Sequence, residues 1–256
     1  MNLKKYLSLL ILLPLLNIFI SSSYASAYNY DDDDSDNNNS SCTEAYDPYE
    51  KINRKIFVFN SILDYFLLRP VAIVYRDTTN DYIKARVGNF TENINVPLTT
   101  VNYALQKNPN DTLKSFWRFM INTTLGIGGL FDVASKIGLE ITPQTLGSTF
   151  AHYGVGPGPY LVIPFFGGTN GRDLTDSLFT NTYLNPLKHF LHSDFKLGLT
   201  GVKLVHDRMV LLPFTDYVTK NSVDAYVSIR SSIHQNRESV VQYPENFKCP
   251  KSNIKR

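Results

Sequence analysis

Charge is missing where its absence matters most. Between Ile141 and Gly171 the chain holds no Asp, Glu, Lys or Arg, and His152 is the one titratable group of note. Glycine and proline are concentrated there instead, with seven of the chain's 14 glycines and four of its 13 prolines. Pro157, Pro159 and Pro164 exclude a regular transmembrane helix, because each removes a backbone donor and clashes with the preceding turn. Irregular backbone cannot face lipid either, since its N–H and C=O groups would go unsatisfied. Two readings stand. The stretch is a buried Gly/Pro-rich loop of a soluble core, or it lies at membrane depth against protein or a water-filled cavity.

Catalytic sets are missing as well. Gly154, Gly156 and Gly158 mimic a phosphate loop only superficially: no strand is expected before them, no helix after, and Pro157 and Pro159 remove donors. Ser148 sits in Leu-Gly-Ser-Thr, a turn or cap rather than a nucleophile elbow. His189 and His192 have a spacing that zinc can use, but no third ligand accompanies them, so they read as surface histidines. Arg172, Asp173 and Asp176 read as a helix-start charge cluster. No enzyme, cofactor or metal site is expected. Only two cysteines occur, Cys42 and Cys249; they form one bridge between the chain ends or remain free thiols.

What is present begins with Met1 to Ala27, a secretory signal: Lys4 and Lys5, an apolar run, then Ala25-Ser26-Ala27. Residues 28–44 form an acidic, polar spacer without apolar periodicity, expected to be disordered. Without these two segments the formal balance is 23 basic against 17 acidic residues, or +6. That suits an anionic surface or anionic small molecules, but the charge is not clustered as nucleic-acid binding requires. Residues 45–243 are the folded body and 244–256 a basic tail. Aromatics (16 Phe and 16 Tyr) make a large core affordable.

The body reads as mostly α, with no internal repeat and no sustained strand alternation. Asp47-Pro48-Tyr49-Glu50 is a helix start with Asp47 as N-cap. That helix is apolar nearly all round from Ile56 to Leu68, and Arg69-Pro70 is expected to end it. A short helix over 71–76 follows, then one over 80–93, and Pro97 is expected to open another. Asn108 caps a helix whose apolar face carries Leu113, Phe116, Trp117, Met120 and Ile121, with Lys114 and Arg118 opposite. It runs into Gly126, Gly128 and Gly129, a stop or hinge. Later helices are expected over 172–192, 193–212 and 215–242.

Several of these segments resemble the MlaA/VacJ family. The likeness rests on Asp47-Pro48-Tyr49-Glu50 with Asn53-Arg54 and Phe57-Val58-Phe59-Asn60, and on Leu68-Arg69-Pro70-Val71-Ala72 with Arg76-Asp77. Phe116-Trp117-Arg118-Phe119 and the run Asn122 to Asp132 match too. The most specific match is Gly147-Ser148-Thr149 with His152 to Tyr160, Pro164-Phe165 and Arg172-Asp173. It covers 47–176 well and thins afterwards, with Ala225 where a proline is usual.

The resemblance implies a single ring-like helical domain with an irregular Gly/Pro-rich centre, lying in the outer membrane of a Gram-negative cell on its periplasmic side. It implies non-catalytic transport of misplaced outer-leaflet phospholipid through an amphipathic channel, with a trimeric porin and a soluble periplasmic lipid carrier as partners. The alternative is a soluble periplasmic lipid-binding or scaffold protein. Such family members are lipoproteins, and this chain departs from that pattern because Cys42 lacks a lipidation context. The lipid path is expected along His152, Tyr153, Gly154, Val155, Gly156, Pro157, Gly158, Pro159, Tyr160, Leu161, Phe165 and Phe166. Gly126, Gly128 and Gly129 are its expected hinge.

Overall fold

The computed structural model describes residues 45–179, 193–244 and 247. The signal, the spacer, both cysteines, His189, His192 and the last nine residues lie outside them, as does the Asp176 side chain.

The first helix, α1 (Glu50–Thr78), does not stop at Arg69-Pro70. It is α-helical over Glu50–Leu63, makes a π turn over Asp64–Leu68, and resumes as α over Arg69–Thr78. A proline ring clashes with the carbonyl four residues earlier, and for Pro70 that carbonyl lies within the widened turn. The chain therefore keeps helical angles at Leu68 (φ −77°, ψ −43°) and passes through. Two other expected breaks are also continuous. Pro97 lies inside α2 (Asp81–Leu105), and Pro213 lies inside the long helix Ser193–Asn221. Each proline costs one helical bond and about 3 kcal/mol, against which stand the tertiary contacts of these helices.

Helix α3 (Pro109–Thr124) starts as expected, with Asn108 Oδ1 accepting from the Asp111 amide at 3.2 Å. A short α4 (Val133–Lys136) follows, capped by Asp132, then α5 (Leu146–His152). Ser148 is indeed a cap residue: Thr145 and Ser148 exchange side-chain and backbone bonds in a capping box.

The Gly/Pro stretch then departs from the irregular reading. It forms an antiparallel hairpin of β1 (Tyr160–Ile163) and β2 (Gly167–Asn170), with Tyr160 opposite Asn170 and Ile163 opposite Gly167. Strands of four residues are too short for alternation to show. The turn places Phe165 in the left-handed region (φ 69°) beside Gly167 (φ 82°). Helices α6 (Gly171–Phe179), α7 (Ser193–Asn221) and α8 (Ala225–Glu238) complete the body. The last helix begins at Ala225 rather than Thr215, capped by Asp224 accepting from the Val227 amide at 3.2 Å.

Two asparagines of α1, seven residues apart and so on one face, hold the hairpin by its edge. Asn53 donates to the Tyr160 carbonyl (3.0 Å) and accepts from the Val162 amide (2.9 Å). Asn60 repeats this with the Ile163 carbonyl (2.9 Å) and the Phe165 amide (2.8 Å). An edge strand presents unpaired peptide groups; here side chains satisfy them. Asp47, expected as the N-cap, is instead drawn into this joint. It accepts from Asn53 (2.8 Å), from Arg230 (3.0 Å) and from the Tyr226 hydroxyl, charge-assisted bonds stronger than a cap.

The elements close on themselves. Helix α1 packs on β1, β1 on β2, β2 on α6, α6 on α5, α5 on α2, α2 on α7, and α7 returns to α1. That circuit is the ring; α3 lies against α2, and α8 against β2 and α7.

Its surface is inverted relative to a soluble protein. On α3, Leu113, Phe116, Trp117 and Met120 face outward, while Ser115, Arg118 and Asn122 are buried. The helix is amphipathic as expected, but it turns its polar face to the protein. Along α1, Ile52, Val58, Ile62, Phe66 and Val74 are each more than half exposed. Exposed apolar area of this extent marks a membrane or partner surface. Replacing Phe116 and Trp117 together by Ser should therefore shift the unfolding free energy of detergent-solubilised protein by no more than about 1 kcal/mol. Were the two rings core residues, each change would cost roughly 3–5 kcal/mol.

Candidate functional site: a polar interior with an apolar cavity

Where the apolar side chains face outward, the interior is left to polar ones. Among the described residues, nineteen buried side chains are polar or charged and eleven are apolar. Burying such groups is costly unless they are hydrogen-bonded, and here about half of them fall into three networks.

The first joins α2 to α5. Gln106 donates to Gln144 (3.0 Å) and Thr149 (3.1 Å), and Thr149 donates to Asn102 (3.0 Å). The second joins α3 to α4 and the residues on either side of it. Arg118 reaches Ser135 (2.6 Å), the Leu139 carbonyl (3.0 Å) and Asp132 (2.8 Å), while Asn122 donates to Asp132 (3.0 Å). Burial pushes the Asp132 carboxyl up, but bonds from Ser135 and Asn122 and the Arg118 charge bring it below the ordinary value. The third gathers α6, α8 and the following segment. Arg172, almost wholly buried, pairs with Glu238 (2.9 Å) and Asp173 (3.3 Å) and donates to Tyr243 (2.7 Å); Arg237 closes on Asp173 (2.8 Å). Arg172 and Asp173 do lie in the first turn of α6, as read from sequence, but there they belong to a buried ion network.

Between α2 and α7 lies a cavity of about 440 Å³, lined by Val87, Phe90, Thr91, Leu130, Gly198, Leu199 and Val202. Its wall is almost wholly apolar. Glu92, one residue beyond this lining on α2, has an accessible side chain. Yet desolvation pushes its pKa above the ordinary carboxylate value, and the charges of Arg118, Asp132, Lys203 and Asp207 all act on it. Chemically, the site offers an apolar slot beside a charged rim, and among the described residues no group of side chains could hold a metal ion.

The residues expected on the lipid path divide sharply. Tyr153, Val155, Gly158 and Phe165 are exposed; His152, Gly154, Gly156, Pro159 and Leu161 are half-buried; Pro157, Tyr160 and Phe166 are buried. Tyr160 is a core side chain, packed edge-on against Tyr226, rather than part of a polar edge. The expected hinge is largely a packed stop. A Cβ on Gly126 would lie 2.2 Å from the Phe131 carbonyl oxygen, and one on Gly129 would lie 2.5 Å from Asn93. Gly128 (φ 69°) alone has open space around it. The cavity was not expected, because its walls on α2, on α7 and at Leu130 are brought together only by the tertiary fold.

The family model described as MlaA lipoprotein matches residues 45–240. An uncharacterized protein of Rickettsia felis is 59% identical over 94% of this chain and 98% of its own length. The intermembrane phospholipid transport system lipoprotein MlaA of Escherichia coli K12 is 34% identical over 76% of this chain and 78% of its own length. A solved structure from work on the structural basis for maintenance of bacterial outer membrane lipid asymmetry is 36% identical. It superposes with a TM-score of 0.66 over 75% of this chain and 98% of that one. The chain belongs to the MlaA lipoprotein family.

Proposed function

We propose that this protein moves phospholipid through its ring, taking molecules misplaced in the outer leaflet of the outer membrane and delivering them to the periplasmic side. The observation that carries this reading is the inversion: an apolar exterior, a polar interior and an apolar cavity between α2 and α7. A phospholipid needs an apolar wall for its chains and a wet, charged rim for its head. The names of the similar proteins, an intermembrane phospholipid transport lipoprotein and a structure for outer membrane lipid asymmetry, point the same way. The role is non-catalytic, since transport of an intact lipid breaks no covalent bond.

Attachment falls to the outward apolar faces. Helix α1 spans 29 residues, enough by length and composition to cross a membrane, and only 6% of its most apolar window is buried. Its free face and that of α3 suit lipid or the flank of a trimeric porin, and a soluble carrier would receive the lipid below. Of the Gly/Pro stretch, the exposed Tyr153, Val155 and Phe165 are the members placed to touch lipid.

The test is functional. Expressed in a Gram-negative host lacking its own MlaA, the protein should lower the phospholipid reachable by an impermeant amine label at the cell surface. Full accumulation despite outer-membrane localisation would overturn the reading. Recovery of all the protein in the detergent-free periplasmic fraction would favour a soluble lipid-binding protein instead.

A further inference from the structure

We propose that the slot between α2 and α7 is an acyl-chain site: it takes one hydrocarbon chain of a phospholipid, and Gly198 is the residue that keeps it open. The inference rests on the transport reading and deepens it, by giving one chain of the lipid a named place.

The slot exists because the two helices meet at one glycine and part at another. At Gly88 of α2 they are in close contact: an added Cβ would lie 3.2 Å from His206 Nε2 on α7. About two turns earlier in α7, a Cβ added to Gly198 would meet nothing within 4 Å among the described residues. Gly198 lies within a helix, where only proline is a poorer helix former than glycine. Neither packing nor helix propensity asks for glycine there, so what it contributes is space. The opposite wall is fixed in advance. The Leu130 carbonyl accepts from Arg86 at 3.2 Å and from Asn89 at 3.1 Å, both on α2.

The lining then selects the occupant. Of the described residues around the slot, Thr91 alone has a polar side chain, and its hydroxyl already donates to the Gly88 carbonyl at 2.9 Å. A polar ligand or an extended peptide would bring groups that find no partner there. A helix, about 10–12 Å across, would find room for little more than one turn. A hydrocarbon chain has no polar group to satisfy. The volume of about 440 Å³ lies toward the low end of the ~300–1,000 Å³ of small-molecule sites, room for one chain rather than for a whole two-chain lipid. Thr91 is buried at the floor while Gly198, Val202 and Leu130 are exposed. The slot is thus open along one side, and a chain can enter it with the head group left outside.

The test maps the chain directly. Purified full-length protein in digitonin, a detergent without an acyl chain, is mixed with phosphatidylethanolamine carrying a diazirine midway along one chain. After illumination the labelled peptides are identified by mass spectrometry. Wild type should be labelled within residues 87–91 and 198–202, besides the outward faces of α1 and α3. Gly198→Leu should cut the slot label roughly tenfold, the effect of keeping about two methylenes out of apolar surroundings, and leave the outward faces unchanged. Gly201 is equally open but does not line the slot, so Gly201→Leu should label as wild type does; an equal loss there would overturn the inference.

Unlabelled lysophosphatidylethanolamine, with its single chain, should displace the slot label as well as the two-chain lipid does. A two-chain lipid tenfold more effective would overturn the one-chain assignment. Palmitate acting at a tenth of the lysolipid concentration would make the occupant a free fatty acid and overturn the assignment to phospholipid. An unlabelled slot in wild type overturns the inference and leaves the transport reading standing, since that is judged by surface phospholipid in cells. A labelled slot in a protein that leaves surface phospholipid unchanged overturns the transport reading alone.

Discussion

Arg172→Met should cost the fold about 3–5 kcal/mol, the loss expected when one member of a buried ion pair is removed. Arg172 and Glu238 are nearly inaccessible, 1% and 3% exposed at the side chain. Asp173 would keep Arg237 at 2.8 Å, but Glu238 would keep only the Tyr243 hydroxyl. A charge left alone in the interior has no cheap remedy except protonation. Against a total stability of about 5–15 kcal/mol, the loss should appear as low abundance and a sharply lower unfolding midpoint in detergent. Adding Glu238→Gln removes the stranded charge and should recover a good part of the loss. A single variant as stable as wild type would show that the network contributes little.

Asn53→Leu is the second large effect, and it acts on a joint rather than a charge. Leucine matches the volume but cannot satisfy the Tyr160 carbonyl and the Val162 amide, both of which Asn53 now bonds. Each buried peptide group left unpaired costs about 1–3 kcal/mol, so roughly 2–6 kcal/mol is at stake. The damage should be local before it is global. Hydrogen exchange should find the Val162 amide losing protection while α2 and α3 keep theirs. Asn53→Asp would also set a second carboxylate against Asp47, which now accepts from Asn53 at 2.8 Å, and should cost at least as much. Equal protection of β1 in wild type and Asn53→Leu would mean that the hairpin holds itself.

These effects explain how far the sequence could be read. Local signals were legible: Asn108 and Thr145–Ser148 cap helices because their side chains meet the first free amides, and that depends only on neighbours. The amphipathic pattern of α3 was legible too, but not which face points inward. Periodicity is the same for a helix facing water and one facing lipid. The prolines misled because a break is a local cost, while contacts brought from α5 and α7 to α2 are not local. Asp47 misled for the same reason: its partners Tyr226 and Arg230 lie about 180 residues away. The hairpin hid in a stretch chosen for its glycines. Its free edge is satisfied by Asn53 and Asn60, a hundred residues earlier.

The central claim is that lipid passes through the ring's interior, and Gly198→Leu tests it most directly. Gly198 lines the cavity from α7, and a Cβ built there meets nothing within 4 Å. Leucine therefore enters open space, and in a helix it is favoured over glycine by up to about 1 kcal/mol. The variant should fold at least as well as wild type and reach the outer membrane in normal amount. Its side chain would occupy the slot proposed for an acyl chain. The account predicts that cells carrying it accumulate surface-labelled phospholipid as cells without the protein do. Normal outer-leaflet composition, with Gly198→Leu folded and in place, would contradict it.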